Sequence, residues 1–439
     1  MKINAFWFRR DLRLDDNHGL WVALTSGKPV IALFIFDDHI LDSLHQDDAR
    51  VEFIHSRIIA LQEELARENS YIHVLKGSPE KCWKEAAELY DIDTVFFNHD
   101  YEPYALQRDN NIKDQLSKRG ISMQGFKDHL IFEGEEVVKD DGKPYTVFTP
   151  YKNKWMSKLT GGEGKITAPL KAFPSAEFTS NFYKNSPTSH PTPSLQSLGF
   201  IPSNLEFPST RVMSSLIADY DKTRDFPAIA GTSKLGIHYR FGTISIRQKA
   251  LKALQLNQTY LNELIWRDFY AMILFHFPST IQQAFRQEYD RIVWLNDPTD
   301  FKKWKEGKTG YPLVDAGMRE LKATGYMHNR VRMVVASFLT KHLLIDWRWG
   351  EAYFAEKLLD YDQASNVGGW QWAAGCGTDA APYFRIFNPQ AQAEKFDPEM
   401  KYIKKWVPEV DSLTYPKPLV EHKYARERCL ATYKKALAR

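Results

Sequence analysis

The first hundred residues alternate between two kinds of pattern. Short, almost continuous apolar runs occupy residues 3–8, 29–36, 71–75 and 94–98. Between them, residues 46–68 and 79–90 carry apolar side chains at helical spacing. Ile54, Ile58, Leu61 and Leu65, for example, fall on one face of a helix. Buried strands separated by amphipathic helices predict an α/β domain with a parallel sheet over residues 1–130. Residues 157–205 then become rich in Ser, Thr, Pro and Gly, with too few apolar positions for a core of their own. A linker over residues 131–205 is expected. Beyond residue 212 the pattern is helical, with apolar stripes over residues 251–264, 313–321, 331–344 and 352–359. That predicts an all-α domain over residues 206–439. The last eighteen residues, HKYARERCLATYKKALAR, read as a solvated terminal helix.

Composition narrows the picture only in places. The chain has 439 residues, 43% hydrophobic and 26% charged, which suits a large folded core. Its net charge of +3 is nearly balanced, so a nucleic-acid partner would need basic groups gathered on one face. Three cysteines without metal-ligand spacing argue for a reducing compartment and against a disulfide framework. No charged-then-apolar leader opens the chain, and the apolar run at residues 30–36 is far too short to span a bilayer. A soluble, cytoplasmic, monomeric protein without a metal is expected. No GxGxxG follows the first strand and no GxxxxGK[ST] occurs, so the usual phosphate-cradling loops are absent from the sequence.

The densest chemistry lies in DYDQASNVGGWQWAAGCGTDAAPYFRIFNP, residues 360–389. Trp370, Trp372, Tyr383, Phe384 and Phe387 offer flat apolar faces, and Asp360, Asp362, Asn366 and Asn388 offer polar groups. Gly368 and Gly369 let the backbone approach another object. Such a wall suits a large, flat, polar-edged ligand, although a helix–loop–helix of ordinary core has the same composition.

The wording of this stretch resembles the flavin-binding region of the DNA photolyase/cryptochrome family, class I, cyclobutane-dimer type. WFRRDLRLDDN near the start, VFTPYKNKW, GTSKL, NELIWRDFY, GKTGYPLVDAGMRELKATGYMHNRVRM and EKFD extend the resemblance, in order, over nearly the whole chain. It implies an α/β domain followed by an all-α FAD-binding domain. It also implies roles for particular residues. Tyr220, Thr232, Ser233, Arg267, Asn329, Arg332, Asp360, Asp362 and Asn366 would hold FAD. In that set Asp360 is the natural partner of Arg332, and Asn366 could donate or accept at the flavin N5 edge. Trp370, Trp347 and Trp294 would carry electrons from the surface. Glu263, Trp266, Met333 and Trp372 would face a pyrimidine dimer, with Trp266 and Trp372 as an apolar wedge and Glu263 hydrogen-bonded to the base edge. For that bond Glu263 must be protonated, which calls for desolvation. Arg224, Arg267, Arg330 and Arg385 would meet DNA phosphates. Singly, each of these residues is as easily a helix cap or a structural ion pair.

Two positions depart from the family pattern. Gly236 stands where a phosphate-binding Ser is common, and Ala105 stands where folate-binding members have Glu. An antenna pigment (folate, deazaflavin or a second flavin) is therefore left open. Asn329 and Met333 speak against the (6-4) photoproduct branch. The resemblance implies light-driven repair of pyrimidine-dimer DNA by excited reduced FAD, with a cryptochrome-like blue-light sensor as the alternative.

Overall fold

The structure is a computed structural model that describes residues 1–161, 170–185 and 191–438. Parts of the expected linker, residues 162–169 and 186–190, lie outside the described residues. The chain divides into two compact units. One comprises residues 1–137, 155–210 and 235–252, and the other residues 138–154, 211–234 and 253–439. These bounds differ from the expected 1–130, 131–205 and 206–439. The described linker residues 155–161, 170–185 and 191–205 belong to the first unit, where Phe182 bridges Val30 beside the sheet. Of their apolar side chains, Trp155, Leu159, Leu170, Phe182, Leu195, Leu198 and Phe200 are buried, Phe173 and Phe178 are half-buried, and Ile201 is exposed.

In the first unit, β1 (Ile3–Phe8), β2 (Val30–Asp37), β3 (Ile72–Gly77), β4 (Ile92–Asn98) and β5 (Ser122–Phe126) form a parallel sheet in the order β3-β2-β1-β4-β5. Every residue of β1 and β2 is buried, as central strands covered on both faces must be. Strand β5 was not apparent in the sequence. It is an edge strand of sequence SMQGF with no fully buried residue, so it carries no apolar run. Among the longer helices of this unit, α1 (Ala49–Ala66) is capped by Asp48 and buries Val51, Phe53, Ile58, Leu61 and Leu65, while Ile54 is only half-buried. The others are α2 (Pro79–Leu89) and α3 (Pro103–Ser117), both opened by proline.

Strand order reverses between β1 and β4, the place where open α/β sheets usually take ligands. Here the arginines that follow β1 are already paired: Arg9 with Asp109, and Arg10 with Asp100 and Glu102. Arg240 also pairs with Glu102. A second, buried cluster joins Arg13 and Arg247 to Asp128, and Arg247 to Asp16. Burial works against the charge on Asp128, but the two guanidiniums hold its carboxyl down at about 2. This cluster anchors residues 235–252 within the first unit.

The second unit is helical. The longer helices that carry the argument are α4 (Gln258–His276), α5 (Pro312–Thr324), α6 (Asn329–Ser337), α7 (Trp347–Lys357), α8 (Gln363–Ala374) and α9 (His422–Leu437). The expected helix at residues 251–264 is interrupted. Asn257 is extended and caps α4 by accepting from Tyr260 N at 3.1 Å. The expected helix at residues 331–344 is α6 followed by a π-helical turn, Phe338–His342. The terminal helix is not merely solvated. Ala425, Cys429 and Tyr433, at i, i+4 and i+8, are fully buried, and Tyr433 and Cys429 belong to the main helical core. All three cysteines are buried and unpaired.

Candidate functional site

Helix α4 presents Glu263, Trp266, Arg267 and Tyr270 at i, i+3, i+4 and i+7, one stripe of the helix surface. Trp266 stacks on Phe148, with centroids 3.7 Å apart and planes 3° from parallel, and leans on Tyr270 at 5.4 Å. Tyr270 explains one of the glycines. A Cβ on Gly368 would lie 2.2 Å from the Tyr270 ring, so Gly368 makes room for the protein's own side chain. Gly369 is exposed, and a Cβ there would meet no atom within 4 Å.

Glu263 is ion-paired. Arg224 Nη1 donates to Glu263 Oε1 at 2.5 Å, and Arg330 Nη2 donates to Asp225 Oδ1 at 2.8 Å. Arg224 Nε lies 3.9 Å from the same Asp225 oxygen, so two cations and two anions form one quartet. Arg330 is also stacked on Phe396 at 4.3 Å, and its Nη1 lies 3.8 Å from Met333 Sδ. Two arginines expected to wait for phosphates are thus already committed within the chain. Burial pushes the Glu263 carboxyl above the usual range, with Arg224 opposing.

A second group lies around Tyr326. Its hydroxyl bonds Thr232 Oγ1 at 3.0 Å, Lys234 Nζ sits 4.9 Å above its ring, and Arg332 lies 5.7 Å from the same ring. Arg332 Nη2 donates to both oxygens of Asp360, at 3.1 and 2.9 Å, and Arg332 Nε donates to Met327 O. Ser233 accepts from Tyr260 OH at 3.0 Å, and Tyr220 meets Tyr260 edge-on. Tyr326, Tyr260 and Lys234 escaped the sequence reading, although Tyr326 and Lys234 sit inside two of the quoted motifs.

Asp362 is the N-cap of α8, accepting from Ser365 N at 3.1 Å. Asn366 Nδ2 donates to both Glu351 O (3.1 Å) and Glu351 Oε1 (2.9 Å). A backbone carbonyl only accepts, so the amide orientation is set by chemistry and Asn366 keeps only its oxygen for a ligand. The expectation that Asn366 could donate as well is corrected: it can accept only.

Asn329 is exposed at the start of α6, Trp372 is half-buried at the edge of the helical core, and Arg385 is exposed, 5.9 Å from Phe387. Trp370 and Trp347 are buried and Trp294 is half-buried against Tyr433. Among the described residues no close ring contact links Trp370 to Trp347, Trp347 to Trp294, or Trp266 to Trp372. The ring partners of Trp370 are Trp304 at 6.2 Å and Phe354 at 5.0 Å, and those of Trp266 are Phe148, Phe269 and Tyr270 rather than Trp372.

Residues 4–175 match the DNA photolyase family, and residues 260–414 match the FAD binding domain of DNA photolyase. A deoxyribodipyrimidine photo-lyase from Halobacterium salinarum is 37% identical, with 99% of each chain covered. The chain belongs to the DNA photolyase family. Among solved structures, a bacterial class III photolyase from Agrobacterium tumefaciens superposes with a TM-score of 0.86 at 33% identity, covering 99% of this chain and 98% of the other. An archaeal photolyase from Sulfolobus tokodaii with two FAD molecules gives 0.84 at 35% identity, covering 99% and 100%.

The residues of this photolyase fit the flavin cofactor of its family. Hydroxyls of Thr232, Ser233 and Tyr326 and the cations of Lys234 and Arg332 suit the polar and phosphate parts of FAD. Among the described residues His328 Nε2 and Arg330 Nε are buried with no hydrogen-bond partner. Burial, helped by the nearby Arg332 cation, holds His328 at about 4, so it is neutral near neutral pH; its Nδ1 accepts from Arg330 N at 3.2 Å, which puts the proton on Nε2 and leaves that atom as a donor. Asp362 can be tested as cap against cofactor ligand. Asp362→Ala is expected to destabilise the protein by about 1 kcal/mol through the lost cap, whereas Asp362→Asn should keep the cap. If Asn lowers stability as much as Ala, measured by denaturant unfolding without FAD, the cap is not what Asp362 supplies.

Proposed function

We propose that this photolyase repairs cyclobutane pyrimidine dimers in DNA, driven by light. The observation that carries the reading is the stripe on α4, where a carboxyl paired with Arg224, an indole stacked on Phe148 and an arginine share one face. A dimer has apolar faces and carbonyl and N–H edges, and this stripe offers both kinds of contact. Reduced FAD, when bound and excited, supplies the electron that opens the cyclobutane ring and takes it back afterwards.

The chain's own residues do the rest. Thr232, Ser233, Arg332, Asp360, Asn329 and Tyr220 hold the cofactor, with Asp362 shaping the start of α8. Trp266, Met333 and Trp372 receive the extruded lesion, whose unpairing is cheaper than that of an intact pair. Arg224, Arg267 and Arg385 meet the flanking phosphates, while Arg330, held by Asp225, adds positive charge beside them. Trp370, Trp347 and Trp294 resupply electrons, all within or against one hydrophobic core.

Glu351 positions Asn366. By taking both amide hydrogens it leaves an acceptor, which favours the flavin form that carries hydrogen on N5. Glu351→Ala should make the FAD reduction potential more negative, while Glu351→Gln, whose amide oxygen still accepts, should sit near wild type. Equal potentials in all three would remove Glu351 from this role. The reading as a whole is tested by dark binding of the FAD-loaded protein to an oligonucleotide with one thymine dimer. Tighter binding than to the same undamaged strand is expected, and equal binding counts against it.

A further inference from the structure

The quartet of Arg224, Glu263, Asp225 and Arg330 is neutral as it stands, with each carboxylate matched by a guanidinium. A DNA phosphate that engages one of these arginines removes a positive partner from a carboxylate and brings another negative charge close. The two arginines are not equally free to respond. Arg330 is held by Asp225, by the Phe396 ring and beside Met333, and its Nε is buried. Arg224 is about as exposed, but it has one close ion pair, to Glu263, a longer approach of 3.9 Å to Asp225, and a Tyr220 ring whose centroid is 5.2 Å away.

We propose that DNA binding by this protein takes up a proton: Arg224 leaves Glu263 for a phosphate, and a proton from solvent adds to a Glu263 oxygen. The inference rests on the DNA-repair reading above and deepens it by giving Arg224 a positioning role. No electron is involved. The Arg224–Glu263 bond is broken, a guanidinium–phosphate bond replaces it, and the carboxylate becomes a carboxylic acid. In that state Glu263 can donate to a base carbonyl, which a carboxylate cannot do.

The surroundings leave Glu263 as the group whose proton moves. Among the described residues the titratable groups that act on it or are acted on by it include Arg224, Asp225, Tyr220 and Tyr270. Burial pushes both tyrosines up, away from neutrality, so neither releases or gains a proton there. Asp225 keeps Arg330 as its partner when Arg224 leaves. His328, which feels both arginines and Asp225, is neutral over the same range. Burial already disfavours charge on Glu263, and Arg224 is what opposes it, so losing Arg224 and gaining a phosphate act in the same direction.

The sign of the pH dependence follows. The bound state holds the Glu263 proton to higher pH than the free state, so affinity for DNA falls as pH rises between the two values, by at most about tenfold per pH unit for one proton. Calorimetry on the FAD-loaded protein, with an oligonucleotide carrying one thymine dimer, reads the proton directly. At one pH, in two buffers of different ionisation heat, the apparent binding enthalpies of wild type should differ in proportion to those heats. Glu263→Gln, checked for unchanged FAD content, should bind with equal enthalpies in both buffers. Arg224→Gln, in which Glu263 has already lost the cation that opposes its proton, should show less uptake than wild type. Equal enthalpies in wild type, or undiminished uptake in Glu263→Gln, would overturn the inference while leaving DNA binding intact. Absence of any binding to dimer DNA would overturn the reading beneath it and the inference together.

Discussion

Arg332→Ala should yield a protein that retains little FAD and unfolds at distinctly lower denaturant. Arg332 is engaged on two sides. Its Nη2 satisfies both oxygens of Asp360 and its Nε satisfies the carbonyl of Met327. Removing one partner of a buried pair costs about 3–5 kcal/mol, because the other charge stays behind. Here 25% of the Arg332 side chain and 20% of the Asp360 side chain are exposed, so water moderates the loss and about 2–3 kcal/mol is expected. Arg332→Lys keeps the charge but not the forked geometry and should fall between. The double change with Asp360→Ala should be milder than Arg332→Ala alone, since no orphaned carboxylate remains. FAD released per chain and the unfolding midpoint check this. Wild-type values for both in Arg332→Ala would reduce the pair to a surface contact.

The second large effect is expected at Glu263, and the ion pair changes its form. Glu263→Ala leaves the dimer's base edge unpaired, worth about 1–3 kcal/mol, or roughly five- to 150-fold in affinity. The same change frees Arg224 from its internal partner, so binding to undamaged DNA should hold or rise. The signature is therefore a collapse of discrimination between damaged and undamaged strands. Glu263→Gln, whose amide can donate, should keep most of it. FAD content should be constant across the series, because no cofactor role is assigned to Glu263. A parallel loss on both kinds of DNA would mean that Glu263 supports the fold of α4 and not the lesion.

What the sequence made legible follows from range. The buried strands and amphipathic helices were visible because their signals are local: continuous apolar runs for β1 and β2, and apolar residues three or four apart for α1. Strand β5 was invisible because an edge strand with Ser, Gln and Gly carries no such signal. The candidate residues were named because they sit in motifs, but what each one touches is set by the fold. Glu351 and Asn366 are fifteen residues apart on different helices, and no pattern in the chain joins them. Arg224 meets Glu263 across thirty-nine residues, and that contact turns an expected phosphate ligand into an ion-pair partner. Gly368 reads as a place for a ligand to approach until the Tyr270 ring is seen to occupy it. The capping role of Asp362, by contrast, was among the alternatives the sequence offered, since Asp before a helical run is a common start signal.

The central claim is that this chain uses light and reduced FAD to split pyrimidine dimers. The most direct measurement is illumination of the purified, chemically reduced protein with an oligonucleotide containing one cyclobutane thymine dimer, with the intact thymines counted afterwards by chromatography. The account predicts many dimers split per protein molecule under blue light, none in the dark, and a much lower yield per photon in Glu263→Ala at equal FAD content. Bound, fully reduced FAD with no dimer split under light would contradict it, and would leave a flavin-binding light sensor as the better description.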